Sequence, residues 1–380
     1  MNNFKKMEQF GNRTAVYADR EYSYSEMVEI SDAICGNVGE RTLVFCLCSN
    51  NKESLFGYVG FIRGGVVPVL LDASIHIDRL RRLVHLYKPA YIWASSNNQD
   101  LSKTMDSSFV YGDYTLYKCP THFQHNLHEH LALLLTTSGS TGSPKFVRLS
   151  YENIFENAVS IAKYLDIHEN EKPITTLPMN YSYGLSIINS HFICGATVVV
   201  TGASIMSKDF WKLCKEQQVT TFGGVPFVYE MLDRMKFEEL SLPSLKKLTQ
   251  AGGKLSETLS RKFADVCNQK GIQFFTMYGQ TEATARMTYL PYEKNIEKAG
   301  SIGIAIPGGE LILQDDKGNK ITAPHLIGEL IYKGPNVSLG YAESLFDLSK
   351  KDENKGVLRS GDMAYFDEDG YFFISGRIKR

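Results

Sequence analysis

Two short stretches carry side chains able to handle a polyphosphate. The first is TTSGSTGSPK, ending at Lys145. Gly139 and Gly142 let the backbone approach an anion, and the hydroxyls of Thr136, Thr137, Ser138, Ser140, Thr141 and Ser143 can donate hydrogen bonds. Lys145 adds a mobile positive charge. A Walker loop is excluded, because Pro144 precedes the lysine and Phe146 follows it. On composition alone the stretch also reads as a solvated Ser/Gly loop. The second is YGQTEAT, starting at Tyr278. There Glu282 can hold a divalent cation, Thr281 can bond a phosphate oxygen and Tyr278 can offer a ring face to a base. Gly252 and Gly253, in TQAGGKL, close another apolar run. Taken singly, each has a plain reading as solvated acid, core tyrosine or turn.

Positioning such groups takes a large scaffold, and 380 residues suffice for two or three domains at a prior of ~150 residues each. Hydrophobic content of 43% and charged content of 22% are those of an ordinary globular chain. A formal net charge of -1 gives no sign of a nucleic-acid partner, so any phosphate-binding charge must be local. No apolar run approaches the length of a membrane span or of a signal segment, and a cytoplasmic location is expected. The seven cysteines form no CxxC and read as reduced thiols.

The apolar pattern alternates strand and helix. RTLVFCLC and GGVVPVLLD read as buried strands, and Asn50 to Arg63 and Ile77 to Tyr87 as helices. After the first Gly-rich loop come a helix from Tyr151 to Tyr164, a strand at ITTLPM and a second βαβ series. That series comprises GATVVV, TTFGGVP, LKKLTQAGG and IQFFTMYG, with helices between them. The expected fold class is α/β, with two stacked subdomains in an αβαβα layering built on parallel sheets. Beyond Pro291, short strands and frequent turns predict a small antiparallel β subdomain, barrel-like, beginning near Ala299. The expected boundaries are 1–180, 181–298 and 299–375, with a hinge at 376–380. Ser95 to His130 is polar and irregular. Its histidines, His122, His125, His128 and His130, read as a surface connection rather than a zinc site, which would need convergent ligands.

In their order along the chain, TTSGSTGSPK, AGGKL, YGQTEAT, GELIYKGPNVSLGY and LRSGDMAYFDEDGYFFISGRIKR resemble the motifs of the adenylate-forming (AMP-binding) enzyme superfamily. That superfamily comprises acyl- and aryl-CoA ligases, peptide-synthetase adenylation domains and luciferases. PVLLDAS at Pro68 and GGVPFVYEML at Gly223 are weaker matches. The resemblance implies activation of a carboxylic acid by ATP and Mg²⁺, release of pyrophosphate and transfer of the acyl group to CoA or a phosphopantetheinyl carrier protein. It implies that Thr137, Ser138, Gly139, Ser140, Thr141, Gly142 and Lys145 wrap the β- and γ-phosphates. Tyr278, with Gly252, Gly253, Gly279 and Gln280, would flank adenine. Thr281 would lie near the α-phosphate, Glu282 would hold the metal, and Asp362 with Arg377 would take the ribose. Tyr181, Tyr183, Gly184, Gly253 and Met277 would line the acid pocket.

Some positions depart from the family pattern. Phe146 stands where Gly is usual, Tyr151 where His is frequent, and Met277 where Asn or Gly is frequent. Gly184 stands where peptide-type adenylation domains hold an amino group with Asp, which favours an acid without an α-amine. Family members continue past the GRIKR segment into a smaller lid domain carrying a catalytic lysine. This sequence stops at Arg380, with Lys379 near the hinge position. Without a lid, the expectation is binding of nucleotide and acid with poor adenylation and little thioester transfer. The alternatives are an amino-acid adenylation domain, a non-catalytic nucleotide-binding or carrier-interaction module, and a luciferase-like oxygenase.

Overall fold

The computed structural model describes residues 3–120, 123–137 and 145–378. Its centre is an eight-stranded sheet whose inner strands, Leu131–Thr136, Val67–Asp72, Leu43–Cys48 and Tyr91–Ser95, run parallel. LVFCLC is buried at every position. Val44, Cys46 and Cys48 face one core while Leu43, Phe45 and Leu47 face the other, as the two-residue period of a strand covered on both faces requires.

Antiparallel strands flank this parallel centre, so the sheet is mixed. Phe146–Ser150 and Gly340–Ala342 close one side. On the other side stands a hairpin of Asp106–Tyr111 and Tyr114–Lys118. With a short helix at Gln99–Thr104, this hairpin occupies the region expected to be irregular. Its outer strand is largely exposed, which is why it reads as polar. His122 lies outside the described residues, and a ring nitrogen of His125 is tied to the Tyr87 carbonyl at 2.8 Å.

The second sheet has five strands, with Thr221–Gly224, Lys247–Gln250 and Gln273–Tyr278 parallel and Thr288–Leu290 and Ile304–Ala305 antiparallel beyond them. The ITTLPM run forms no strand. Ile174 makes one isolated bridge to Val199, and the segment runs on into the helix Ser182–Phe192. The C-terminal sheet is antiparallel, as expected, but it is open rather than barrel-like. Its five strands end at Lys320–Ile321 on one edge and Phe372–Arg377 on the other. A two-residue edge strand is too short to close a barrel.

Between the two α/β layers runs the helix Ser182–Phe192, buried along its whole length. Leu185, Ile188 and Phe192 belong to the core under the first sheet, and Tyr183 and Ile187 to that under the second. Tyr24 reaches it from the N-terminal region, donating to the Ala196 carbonyl at 2.7 Å. Thr14–Tyr17 pairs in parallel with Val198–Val199. Arg148, fully buried, holds the strand Phe146–Ser150 to the chain around Tyr341 through the Leu339 and Tyr341 carbonyls and Glu353 at 2.6 Å.

His191 lies near the end of the buried helix, with Nδ1 2.7 Å from the Ile187 carbonyl and Nε2 without a hydrogen-bond partner among the described residues. Burial pushes its basicity down to about 4, and Arg286 and Lys247 reinforce that shift against the opposing charge of Glu171. The folded state therefore binds this proton less well than the unfolded chain, whose histidine titrates near pH 6.5. The associated stability is present above that pH and is lost as pH falls toward 4. Between pH 6.5 and 5, urea denaturation should show a loss of stability on the order of 1 kcal/mol. His191→Asn keeps a donor for Ile187 and should flatten that slope; an unchanged slope in the variant would contradict the assignment.

Candidate active site

At the end of strand Gln273–Tyr278 the chain folds back on itself within a few residues. The Met287 amide donates to the Tyr278 carbonyl at 2.9 Å, and a short 3-10 turn spans Thr281–Ala283. The reversal drives Thr284 and Ala285 to positive φ, 63° and 138°. These are costly conformations for residues bearing a Cβ. At Gly279 a Cβ would stand 1.7 Å from the Ala285 carbonyl oxygen, so only glycine fits.

Buried amides hold this turn. Asn336 Nδ2 donates to the carbonyls of Ala283 at 2.8 Å and Arg286 at 3.0 Å, and Asn157 Nδ2 donates to the same Arg286 carbonyl. The Thr284 hydroxyl donates to the Asn336 carbonyl at 2.6 Å. Asn336 is in turn oriented by the Tyr332 hydroxyl, which donates to Oδ1 at 2.8 Å.

The turn forms one wall of a cavity of ≈ 720 Å³ that lies between the two α/β layers and the C-terminal sheet. Thr137, Tyr181, Tyr183, Gly252, Gly253, Met277, Tyr278, Gly279, Gln280, Thr281, Glu282, Asp362 and Arg377 all line it. These are residues expected from sequence to handle nucleotide or acid, and the fold gathers them from six separate stretches of chain. Ser138, Gly139, Ser140, Thr141 and Gly142 lie outside the described residues.

On the cavity's C-terminal side the Tyr278 hydroxyl donates to Asp362 Oδ2 at 2.5 Å, and Gln280 Nε2 donates to the same oxygen at 3.1 Å and to the Ser360 carbonyl at 2.9 Å. Burial, and then the Asp362 charge, push the Tyr278 hydroxyl well above the usual tyrosine range, so it stays a donor at any physiological pH. Asp362 Oδ1 faces exposed Arg377 at 3.7 Å, a weak and screened pair. One carboxylate oxygen is thus fixed by the protein and the other points toward a loosely held cation.

Thr281 Oγ1 lies 3.2 Å from Ser182 Oγ at the start of the buried helix. Glu282 accepts from the Tyr341 hydroxyl at 2.7 Å. Lys145 does not line the cavity. Its ammonium lies over the Tyr341 ring, 3.3 Å from the centroid, and 3.9 Å from Glu343 Oε1. Tyr341 therefore couples the loop lysine to the acidic residue through one side chain. Sequence reading did not single it out, although it ends the GELIYKGPNVSLGY block.

On the inner side, Tyr181 holds its hydroxyl over Gly252, whose φ is +79°; a Cβ there would stand 2.5 Å from that oxygen. The Tyr183 hydroxyl donates to the Thr249 carbonyl at 2.8 Å. Met277 Sδ accepts from the Tyr164 hydroxyl at 3.0 Å. Gly184 is not at the cavity wall. The place of its side chain is taken by the Pro178 carbonyl oxygen, 2.3 Å from where a Cβ would stand. A residue that sequence reading missed, Arg286, lines the inner end. A lone arginine in TARMTYL has no spacing signal; only its burial singles it out.

A protein-family model described as AMP-binding enzyme matches residues 4–342. Among curated relatives, the luciferin 4-monooxygenase of Nipponoluciola cruciata is 27% identical, the match covering 94% of this chain and 71% of the relative. The 2-succinylbenzoate--CoA ligase of Bacillus pumilus is also 27% identical, over 95% of this chain and 74% of its own. The O-succinylbenzoate coenzyme A synthetase of Bacillus subtilis, solved with AMP, superposes with a TM-score of 0.80 at 24% identity, covering 99% of this chain and 78% of that one. The N-terminal domain of FACL13 from Mycobacterium tuberculosis superposes with a TM-score of 0.82 at 19% identity, covering 99% and 100%.

Asn336→Ala would leave the Ala283 carbonyl and the Tyr332 hydroxyl without partners in a buried place. Its expected cost is about 3 kcal/mol of unfolding free energy, read by urea denaturation. A loss below about 1 kcal/mol would mean that the amide clamp is not what holds the turn.

Proposed function

Since the chain belongs to the AMP-binding enzyme family, its match running over residues 4–342, we propose that the cavity binds ATP and a carboxylic acid and joins them as an acyl-adenylate. The acid's carboxylate oxygen attacks the α-phosphorus, a mixed anhydride forms, and the bond to pyrophosphate breaks. Transfer of the acyl group to a thiol follows: a thioester forms, the acyl–phosphate bond breaks, and AMP and the thiol proton are released. The relatives named as CoA ligases support CoA as that thiol, and a phosphopantetheinyl carrier presents the same chemistry.

The observation that carries this reading is the convergence of Asp362, Tyr278, Thr281 and Glu282 on one cavity. Asp362, with one oxygen already fixed by Tyr278 and Gln280, would accept from the ribose hydroxyls. The flexible-backbone positions Gly252 and Gly253 and the ring of Tyr278 would border the base. Thr281, held against Ser182, would donate to an α-phosphate oxygen. Two anions must meet in this reaction, so most of the protein's contribution is positioning and stabilisation of negative charge.

Glu282 suits Mg²⁺, an ion that commonly takes one or two protein carboxylates and fills its other positions with water and phosphate oxygens. Tyr341 would aim that carboxylate, and Lys145 would move from the Tyr341 ring toward the leaving phosphates. When bound, the metal supplies charge neutralisation on the polyphosphate. The Bacillus subtilis synthetase has been solved with ATP and a magnesium ion, which supports the same pair here. At Gly184 neither space nor an acidic side chain is available for an α-ammonium, which favours an acid lacking one over an amino acid.

Acid-dependent exchange of labelled pyrophosphate into ATP tests the reaction. Glu282→Ala and Thr281→Ala should each lower exchange by about 3 kcal/mol of transition-state stabilisation, roughly a hundredfold, with the unfolding free energy nearly unchanged. Wild-type exchange rates in both variants would sink the assigned roles. Nucleotide binding without exchange for any acid would point instead to a non-catalytic module.

A further inference from the structure

Resting on the reading of this cavity as the acid site, we propose that Arg286 recognises a second carboxylate on the substrate, so that the acid activated here is a short dicarboxylic acid. Besides His191, four basic side chains, those of Arg63, Arg148, Lys247 and Arg286, are buried among the described residues. The first three each have a carboxylate at hand: Glu8 at 2.6 Å from Arg63, Glu353 at 2.6 Å from Arg148 and Glu171 at 2.7 Å from Lys247. Arg286 has none within 4.0 Å among the described residues.

Its contacts are all neutral. Nε donates to Ser186 Oγ at 3.2 Å, and Nη1 donates to the Tyr164 hydroxyl at 2.9 Å and to Met277 Sδ at 3.2 Å. The guanidinium lies 5.0 Å from the centre of the Tyr183 ring. Nη2 donates to no described residue, yet it is not among the sealed polar atoms, and the side chain lines the cavity. Withdrawing a guanidinium from water without a counter-charge is strongly unfavourable. Three neutral acceptors orient this one and leave an N–H edge toward the space a ligand would fill. A planar donor edge held by stacking and side contacts is the arrangement that suits a carboxylate.

The position also fits a second group rather than the reacting one. Thr281 is tied to Ser182, and Arg286 to Ser186, one turn further along the same helix. That turn advances ~6 Å, the reach of a few bonded carbons. The reacting carboxylate would lie by Thr281 and its partner by Arg286, with the rings of Tyr181 and Tyr183 beside the spacer.

The test is calorimetric binding to the full chain with AMP saturating, using glutarate, adipate and phthalate against valerate, hexanoate and benzoate. Dicarboxylates should bind roughly tenfold or more tightly than their monocarboxylate partners, as expected for a hydrogen bond to a charged group. Arg286→Gln should abolish the preference and Arg286→Lys should keep part of it. Equal binding of the two classes by the unmodified protein, or no acid binding at all, would overturn the proposal even if a variant failed to fold. A preference unchanged in Arg286→Gln would overturn it as well. So would a large fall in AMP affinity in that variant with the acid preference kept, since Arg286 would then belong to the nucleotide. The adenylation reading fails separately: a dicarboxylate preference in binding, with no pyrophosphate exchange for any acid, would refute adenylation and leave the carboxylate site standing. Exchange that favours monocarboxylates would do the reverse.

Discussion

The chain reversal between Tyr278 and Met287 is the constraint on which the site depends. In a span of a few residues it must turn a strand back, present Thr281 and Glu282 toward one part of the cavity and swing Arg286 into another. It does so only by holding Thr284 and Ala285 at positive φ, and such strain persists only where its surroundings over-determine it. Asn336 and Asn157 supply that determination, one from the loop before Gly340 and the other from the helix Tyr151–Tyr164. The loop is tied back in turn: Asn153 Nδ2 donates to the carbonyls of Pro335 and Val337. Three distant parts of the chain therefore share one set of buried amide bonds, and none can move without the turn.

Charge in the cavity is arranged in opposite ways at its two ends. Toward the C-terminal sheet stand carboxylates, Asp362 and Glu282, each with one oxygen already engaged by a tyrosine hydroxyl. Both tyrosines are neutral donors that fix orientation without cancelling the charge, and the cation facing Asp362, exposed Arg377, is loosely held at 3.7 Å. At the inner end stands Arg286, held among the described residues by neutral acceptors alone. The buried helix Ser182–Phe192 runs past both, Ser182 meeting Thr281, the chain neighbour of Glu282, and Ser186 meeting Arg286. His191, near the far end of the helix, is held neutral by burial, and the charge of Arg286 adds to that effect.

Much of this scaffold was legible in the sequence. Runs such as LVFCLC suit strands covered on both faces, because an unbroken apolar run of that length matches a buried parallel strand. The hairpin Asp106–Tyr111 and Tyr114–Lys118 was not legible, because an exposed edge strand need not be apolar. ITTLPM misled for another reason: Ile174, Leu177 and Met179 enter three different cores, while its pairing is confined to an isolated bridge at Ile174. The C-terminal strands were readable one by one, whereas the openness of their sheet was not, since closure depends on which edges meet.

By itself, the sequence determined the family, through ordered short motifs, and the chemical types able to meet a nucleotide: Thr281, Glu282, Tyr278 and Asp362. Those motifs are local because turns and glycine positions are local requirements. Only the tertiary structure decided which groups share a cavity and what each one faces. It placed Lys145 on Tyr341, closed the place beside Gly184 with a carbonyl, and left Arg286 buried without a carboxylate among the described residues. Burial and partnership arise from contacts between residues far apart in the chain, and spacing along the chain holds no record of them.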